Sequence, residues 1–120
     1  MDKKEWLEKI GMAIDAKDSD GFASFITENG IFRFGNNPDV VGRQAISDYV
    51  AAFFNMIKSS EHKVINSWEK NGNVIWEGQV KYTRLDDKIV TVNFVNVFYM
   101  HGDLIDKYLI HIDNTPLFGN

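Results

Sequence analysis

The stretch HKVINSWEKNGNVIWEGQVKYTRLDDKIVTVNFVNVFYMHGDLIDKYLIHID, residues 62–113, decides the fold. It is rich in Val, Ile, Phe, Tyr and Trp, and three groups of turn residues cut it: Asn71-Gly72, Asp86-Asp87 and His101-Gly102-Asp103. Runs of this composition between turn signals are expected to be strands, here four of them in an antiparallel meander. Loop length then sets which side chains point inward. A three-residue hairpin loop places its last residue in the left-handed region, which suits Gly and then Asn or Asp. With Lys70-Asn71-Gly72, Leu85-Asp86-Asp87 and His101-Gly102-Asp103 read as such loops, one row crosses the sheet: Asn66, Trp76, Asn96, Tyr108. The next row of that face holds Trp68, Val74, Phe98 and Asp106. On the other side lie Val64, Gly78, Phe94 and Ile110, then His62, Val80, Val92 and Ile112. The reverse face carries Glu77, Gln79, Lys81 and Thr83, which suit water. A two-residue turn at Asn71-Gly72 is the alternative; it would flip the strand before it and remove Asn66, Trp68 and His62 from the inward face.

Outward from this stretch the chain reads as helix. Trp6, Leu7, Ile10, Ala13 and Ile14 recur at the three-and-four spacing of one apolar face. Asp18 and Ser19 are good N-caps for a second, short helix carrying Phe22, Phe25 and Ile26, with Asn29-Gly30 as its breaker. Ile31–Phe34 is expected as a short strand, ended by Gly35-Asn36-Asn37-Pro38. Ala45, Ile46, Tyr49, Val50, Phe53, Phe54 and Ile57 form the stripe of a third helix, with Arg43, Gln44, Asp48 and Asn55 facing away. The class is α+β, helices first and then a sheet that they cover.

One hundred and twenty residues fit a single domain, 1–120. The absence of Cys excludes disulfides, thiolate catalysis and cysteine-ligated metal. A net charge of −4 argues against nucleic acid as a partner. The charged start, Met1 to Lys9, lacks a signal-peptide pattern, and no stretch approaches the roughly 18 apolar residues of a spanning helix. A cytoplasmic location and no membrane partner are expected. Val90–Met100 is apolar at nearly every position, with Val95, Val97 and Tyr99 on the outer face. A strand apolar on both sides is normally covered on both sides, so a homodimer through that face is expected.

Five segments carry a family resemblance: Asp15-Ala-Lys-Asp18-Ser-Asp-Gly-Phe22, Phe32-Arg-Phe-Gly35-Asn, Val41-Gly42-Arg43-Gln-Ala-Ile46, Val92-Asn-Phe-Val-Asn-Val-Phe98 and Ile105-Asp-Lys-Tyr-Leu-Ile-His-Ile-Asp113. In this order of elements the chain resembles the nuclear-transport-factor-2-like superfamily, a cone-shaped, cystatin-like α+β fold. Within it, the chain is similar to the SnoaL-like branch of polyketide cyclases and ketosteroid isomerases. The resemblance implies a ligand in the open end of the cone. It transfers residue by residue only in part. The isomerase base falls at Phe34 and its helix Tyr at Ile10, while the penultimate-strand position keeps a polar group, Asn96. The last-strand acid of epoxide-hydrolase-like members falls near Ile110. Asn96, Tyr108 and His62 are similar to part of the set used by scytalone-dehydratase-like members.

The residues themselves suggest acid–base chemistry on a small, largely apolar or aromatic ligand. Asn96 could donate to a carbonyl or developing enolate oxygen, with Tyr108 as a second donor. Asp106, near Trp68 and Phe98, is the candidate acid or base. Trp68 and Trp76 could stack on a flat ring. His62 could shuttle a proton near neutral pH. Asn66, Phe98 and Tyr49 complete the expected pocket. His111 and Asp113 on the outer face and His101 in a turn do not make a closed metal site. No metal or cofactor is expected. The reaction class would be isomerase, cyclase or dehydratase; the alternatives are a binding module without turnover and an interaction domain using the outer sheet face.

Overall fold

The computed structural model describes residues 3–119; Met1 and Asp2 of the charged start, and Asn120, lie outside them. Helix α1 (Lys3–Asp15) buries Trp6, Leu7 and Ile10, with Ala13 and Ile14 at the margin of the core. Asp18 caps α2 (Ser19–Ala23) by accepting from the Gly21 amide at 2.9 Å. Helix α3 (Arg43–Phe54) buries Ile46, Val50 and Phe54 and packs Tyr49 and Phe53 against the same core. Strands β1 (Ile26–Phe34), β2 (Val40–Val41), β3 (Ile57–Lys70), β4 (Asn73–Arg84), β5 (Ile89–His101) and β6 (Leu104–Ile112) form one sheet in the order β2-β1-β6-β5-β4-β3. The last four make the expected meander, while β1 runs parallel to β6. A short helix, α4 (Thr115–Phe118), follows and seats Leu117 in the core.

The second helix is shorter than its apolar pattern suggests. Ile26 opens β1, and Asn29-Gly30 lies inside that strand, where the register against β6 shifts between Ile26 and Ile31. Tertiary bonds take the carbonyls that a longer helix would have used. The Ile105 amide donates to the Phe25 carbonyl at 2.8 Å. Arg43, expected to face away, turns in and donates to the Ile26 carbonyl from Nε at 2.8 Å and from its terminal nitrogen at 2.6 Å. Ile57 likewise leaves the helical stripe to open β3, and Ala45 is exposed.

Two of the three hairpin loops are shorter than expected. Lys70 pairs with Asn73 across a two-residue turn in which Asn71 and Gly72 have φ of 54° and 81°. Both central residues of a type I′ turn need positive φ, which glycine tolerates without strain. The register beside the turn is therefore one residue off. Asn66 faces Glu77 and Trp68 faces Ile75, so both point outward, contrary to the expected rows. A bulge at Ile65 then restores the count. Val64 faces Gly78 and His62 faces Val80, so His62 stays inward. The loop Leu85-Asp86-Asp87 does have three residues, with Asp87 at φ 70°, and Trp76 faces Asn96. At the last hairpin His101 pairs with Leu104, leaving a two-residue turn opened by Gly102. A second bulge, at Asp106, sets Tyr108 opposite Phe98 and Asn96 opposite Ile110. Tyr108 keeps its inward face because the total slip is two residues. Asp106, as the extra residue, is turned out to solvent.

Candidate functional site

Helix α1 crosses β3 closely at Gly11. A Cβ at that position would lie 3.3 Å from the His62 Cβ and 3.7 Å from the Trp76 ring. This approach brings Asp15, the last residue of α1, beside His62. One carboxylate oxygen of Asp15 lies 2.6 Å from His62 Nδ1 and accepts from the Ser60 hydroxyl at 2.8 Å. The other accepts from the His62 backbone amide at 2.8 Å. Burial alone would raise the Asp15 carboxyl. The His62 ring bond and charge, the His62 amide and the Ser60 hydroxyl together outweigh it and hold the carboxyl below its ordinary value. An ionised carboxylate only accepts, so His62 donates to it from Nδ1.

His62 lines a small cavity of about 40 Å³ between the sheet and α3. The walls are mostly aromatic, including Phe22, Phe32, Phe34, Phe53 and Phe94, and the other polar lining groups are Tyr82, Asn96 and Tyr108. Asn96 and Tyr108 are 2% and 1% exposed. The Asn96 amide donates to the Tyr108 hydroxyl across a long 3.5 Å, and the Asn96 side-chain oxygen is buried without a partner. Burial pushes the Tyr108 phenol well above its ordinary value, with the nearby Tyr82 adding to the effect. Burial also raises Tyr82, against an opposing hydrogen bond with the Asn114 side chain. Both phenols are therefore neutral donors at any physiological pH. A wider outer hollow of about 520 Å³, bordered by Asn37, Tyr49, Asp113, Asn114 and Phe118, shares the walls Phe34, Phe53 and Ile112 with the cavity.

The expected site residues thus divide. His62, Asn96 and Tyr108 meet at the cavity. Trp76 is fully buried behind His62, its ring 6.1 Å away, and its Nε1 donates to the Lys63 carbonyl at 3.4 Å. Phe98 packs on Tyr108 at 4.3 Å and does not line the cavity. Tyr49 borders the outer hollow, where its hydroxyl accepts from Asn37 at 2.9 Å. Three residues lie away from the site. Trp68 is 51% exposed on the outer face, and Asn66 there donates to Glu77 at 3.2 Å. Asp106 accepts from the Thr27 hydroxyl at 2.9 Å in an exposed pair. Asp15, which the apolar spacing did not single out for chemistry, carried a signal. It is an acid in the last turn of a helix that has no basic residue there, where the helix dipole disfavours it.

Among the described residues no three His, Asp or Glu side chains converge as metal ligands do, and no helix is long and apolar enough to cross a membrane. No curated protein matches the sequence. Several solved structures share the fold. A ketosteroid isomerase-like protein from Catenulispora acidiphila DSM 44928, solved with trimethylamine, is 13% identical, with a TM-score of 0.86 over 94% of this chain and 88% of its own. A nuclear-transport-factor-2-like protein of unknown function from Burkholderia pseudomallei K96243 is 12% identical, with a TM-score of 0.87 over 100% of both chains. TerC, co-crystallised with polyporic acid, is 15% identical, with a TM-score of 0.80 over 93% of this chain and 92% of its own. The profile of the SnoaL-like domain matches residues 5–108. With that match spanning nearly the whole cone, the chain belongs to the SnoaL-like domain family.

Proposed function

We propose that the protein binds a small, largely apolar ligand at the mouth and interior of the cone and moves a proton on it, with His62 as the base. The observation that carries this reading is the Asp15–His62 pair. A carboxylate fixes the ring through Nδ1, and the His62 side chain lines an aromatic-walled cavity. A base held in this way commonly contributes roughly 10² to 10⁴ in rate. The Tyr108 phenol supplies a neutral donor, and the Asn96 amide lies beside it. The reaction class is cofactor-free isomerisation, cyclisation or elimination. A cavity of about 40 Å³ holds little more than water, so an organic ligand needs Phe34 and Phe53 to swing aside toward the outer hollow. Two structures of the same fold were solved with small organic molecules, trimethylamine and polyporic acid, which supports small-ligand binding.

Deuterium exchange at the α-carbons of cyclopentanone and cyclohexanone, followed by NMR, tests the base. Exchange should exceed that of equimolar imidazole, disappear in His62→Gln and fall in Asp15→Asn. Equal exchange in wild type and His62→Gln overturns the catalytic reading and leaves a binding module. Phe34 at the position of the isomerase base favours that second reading, since a phenyl ring cannot carry a proton.

The proposal extends to a homodimer in the cytoplasm. Val95 and Tyr99 are exposed on the outer face of β5, with Val97 half-buried between them. Light scattering should return twice the chain mass, reduced to one by Val97→Asp. A monomeric wild type at micromolar concentration refutes the dimer.

A further inference from the structure

Resting on the reading of the cone as a ligand site, we propose that its ligand is a two-ended hydrogen-bond donor with an apolar body, of the dihydroxyarene or diol class. One hydroxyl meets Asn96 and the other meets Asn114. Buried polar atoms are nearly always hydrogen-bonded, and each exception asks for a cause. Among the described residues two buried side-chain atoms lack a partner, the amide oxygens of Asn96 and Asn114. Both are acceptors, and neither accepts a hydrogen bond from a group of the chain.

The two oxygens belong to neighbouring chambers. Asn96 lines the inner cavity and Asn114 borders the outer hollow, and the chambers share Phe34, Phe53 and Ile112. Phe34 and Phe53 meet edge to face with centroids 5.0 Å apart and line both chambers. The Asn114 side chain also reaches the hydroxyl of Tyr82, itself a wall of the inner cavity. A ligand spanning the chambers therefore has a donor at each end and an aromatic-contacting middle. Among the described residues no Lys or Arg lines either chamber, and the outer one carries Asp113. An anionic end meets no Lys or Arg there, which favours hydroxyls over acids.

The test is titration of the wild-type protein, read by NMR, with hydroquinone, 4-hydroxyphenethyl alcohol and 4,4′-biphenol, each against its O-methylated counterpart. The series covers increasing separation of the donors. At least one diol should bind about tenfold or more tightly than its ether, because methylation removes the donors and keeps the body. Asn96→Leu and Asn114→Leu should each reduce that ratio; if either variant fails to fold, the wild-type ratio decides. Three results overturn the proposal: an ether that binds as tightly as its diol, a ratio unchanged in both folded variants, or no saturable binding of any diol at millimolar concentration. The last would leave water as the donor to both amides. Equilibrium binding needs no turnover. Loss of ketone exchange with the diol preference intact removes only the base, and exchange without the preference removes only this assignment.

Discussion

Replacing Asn96 with Leu should make the protein more stable while spoiling its site. Asn96 is 2% exposed, its side-chain oxygen has no partner, and its side chain's one hydrogen bond is the 3.5 Å contact to Tyr108. Leaving a buried acceptor unpaired costs about 1–3 kcal/mol. The 3.5 Å contact is at the limit of hydrogen bonding and offsets little of that cost. Leu is close to Asn in length and somewhat larger, and the adjoining cavity of about 40 Å³ gives the extra methyl room. Stranding the Tyr108 hydroxyl takes back on the order of 1 kcal/mol. The expected net gain is up to about 2 kcal/mol, or up to about 8 °C in Tm for a domain of this size. Urea unfolding should show the midpoint rising with an unchanged slope, as it does when stability alone changes. A loss of more than about 1 kcal/mol refutes the accounting. It would mean that an ordered water already satisfies the amide and that Asn96 is a structural polar group.

Three further outcomes are expected. Asp15 titrates below its unfolded value, so it adds stability above the ordinary carboxylate pKa, and that stability is lost as pH falls through the lowered folded value. Urea midpoints should therefore drop less on acidification in Asp15→Asn than in wild type; parallel acid limbs would deny the carboxylate its bonds. Trp68 is half exposed while Trp6 and Trp76 are buried, so acrylamide should quench a component of the emission that Trp68→Phe removes. Quenching unchanged by that substitution would return Trp68 to the inward face. Deleting Ile65 removes the residue that restores the register of β3. The His62 imidazole should then lose its carboxylate-bound Nδ1 proton in NMR spectra; retention of that signal would mean that the strand recovers its count elsewhere.

The helices were largely legible because burial of a helix face repeats along the chain. Trp6, Leu7 and Ile10 mark their face in any window that includes them, and the core uses those side chains. Ile26 and Ile57 depart from that spacing for a related reason. Each extends an apolar helical spacing by one step, yet each begins a strand. The deciding interactions, Arg43 on the Ile26 carbonyl and Ile105 on the Phe25 carbonyl, join residues far apart in the chain. Nothing local in Phe25-Ile26-Thr27 announces them.

The candidate site was half legible because a strand's side chains depend on a count that a bulge changes silently. Alternation identified an inward face, but a one-residue error in a turn exchanges the faces until an extra residue cancels it. At the first hairpin the turn removed one residue and Ile65 put it back, so Asn66 and Trp68 left the face and His62 kept it. At the last hairpin the shorter turn and the bulge at Asp106 shifted the pairing by two, so Tyr108 stayed inward and the carboxylate was turned out. The acid that the site does possess comes from a helix. Asp15 reaches His62 across 47 positions of sequence, at a helix end where its charge is poorly placed. A residue set against the local dipole implies a compensating partner elsewhere in the fold, and here that partner is a histidine facing an aromatic cavity. The base and the bulge belong together: without the extra residue at Ile65 the alternation of β3 would carry His62 to solvent, and the carboxylate of Asp15 would face an empty place on the sheet.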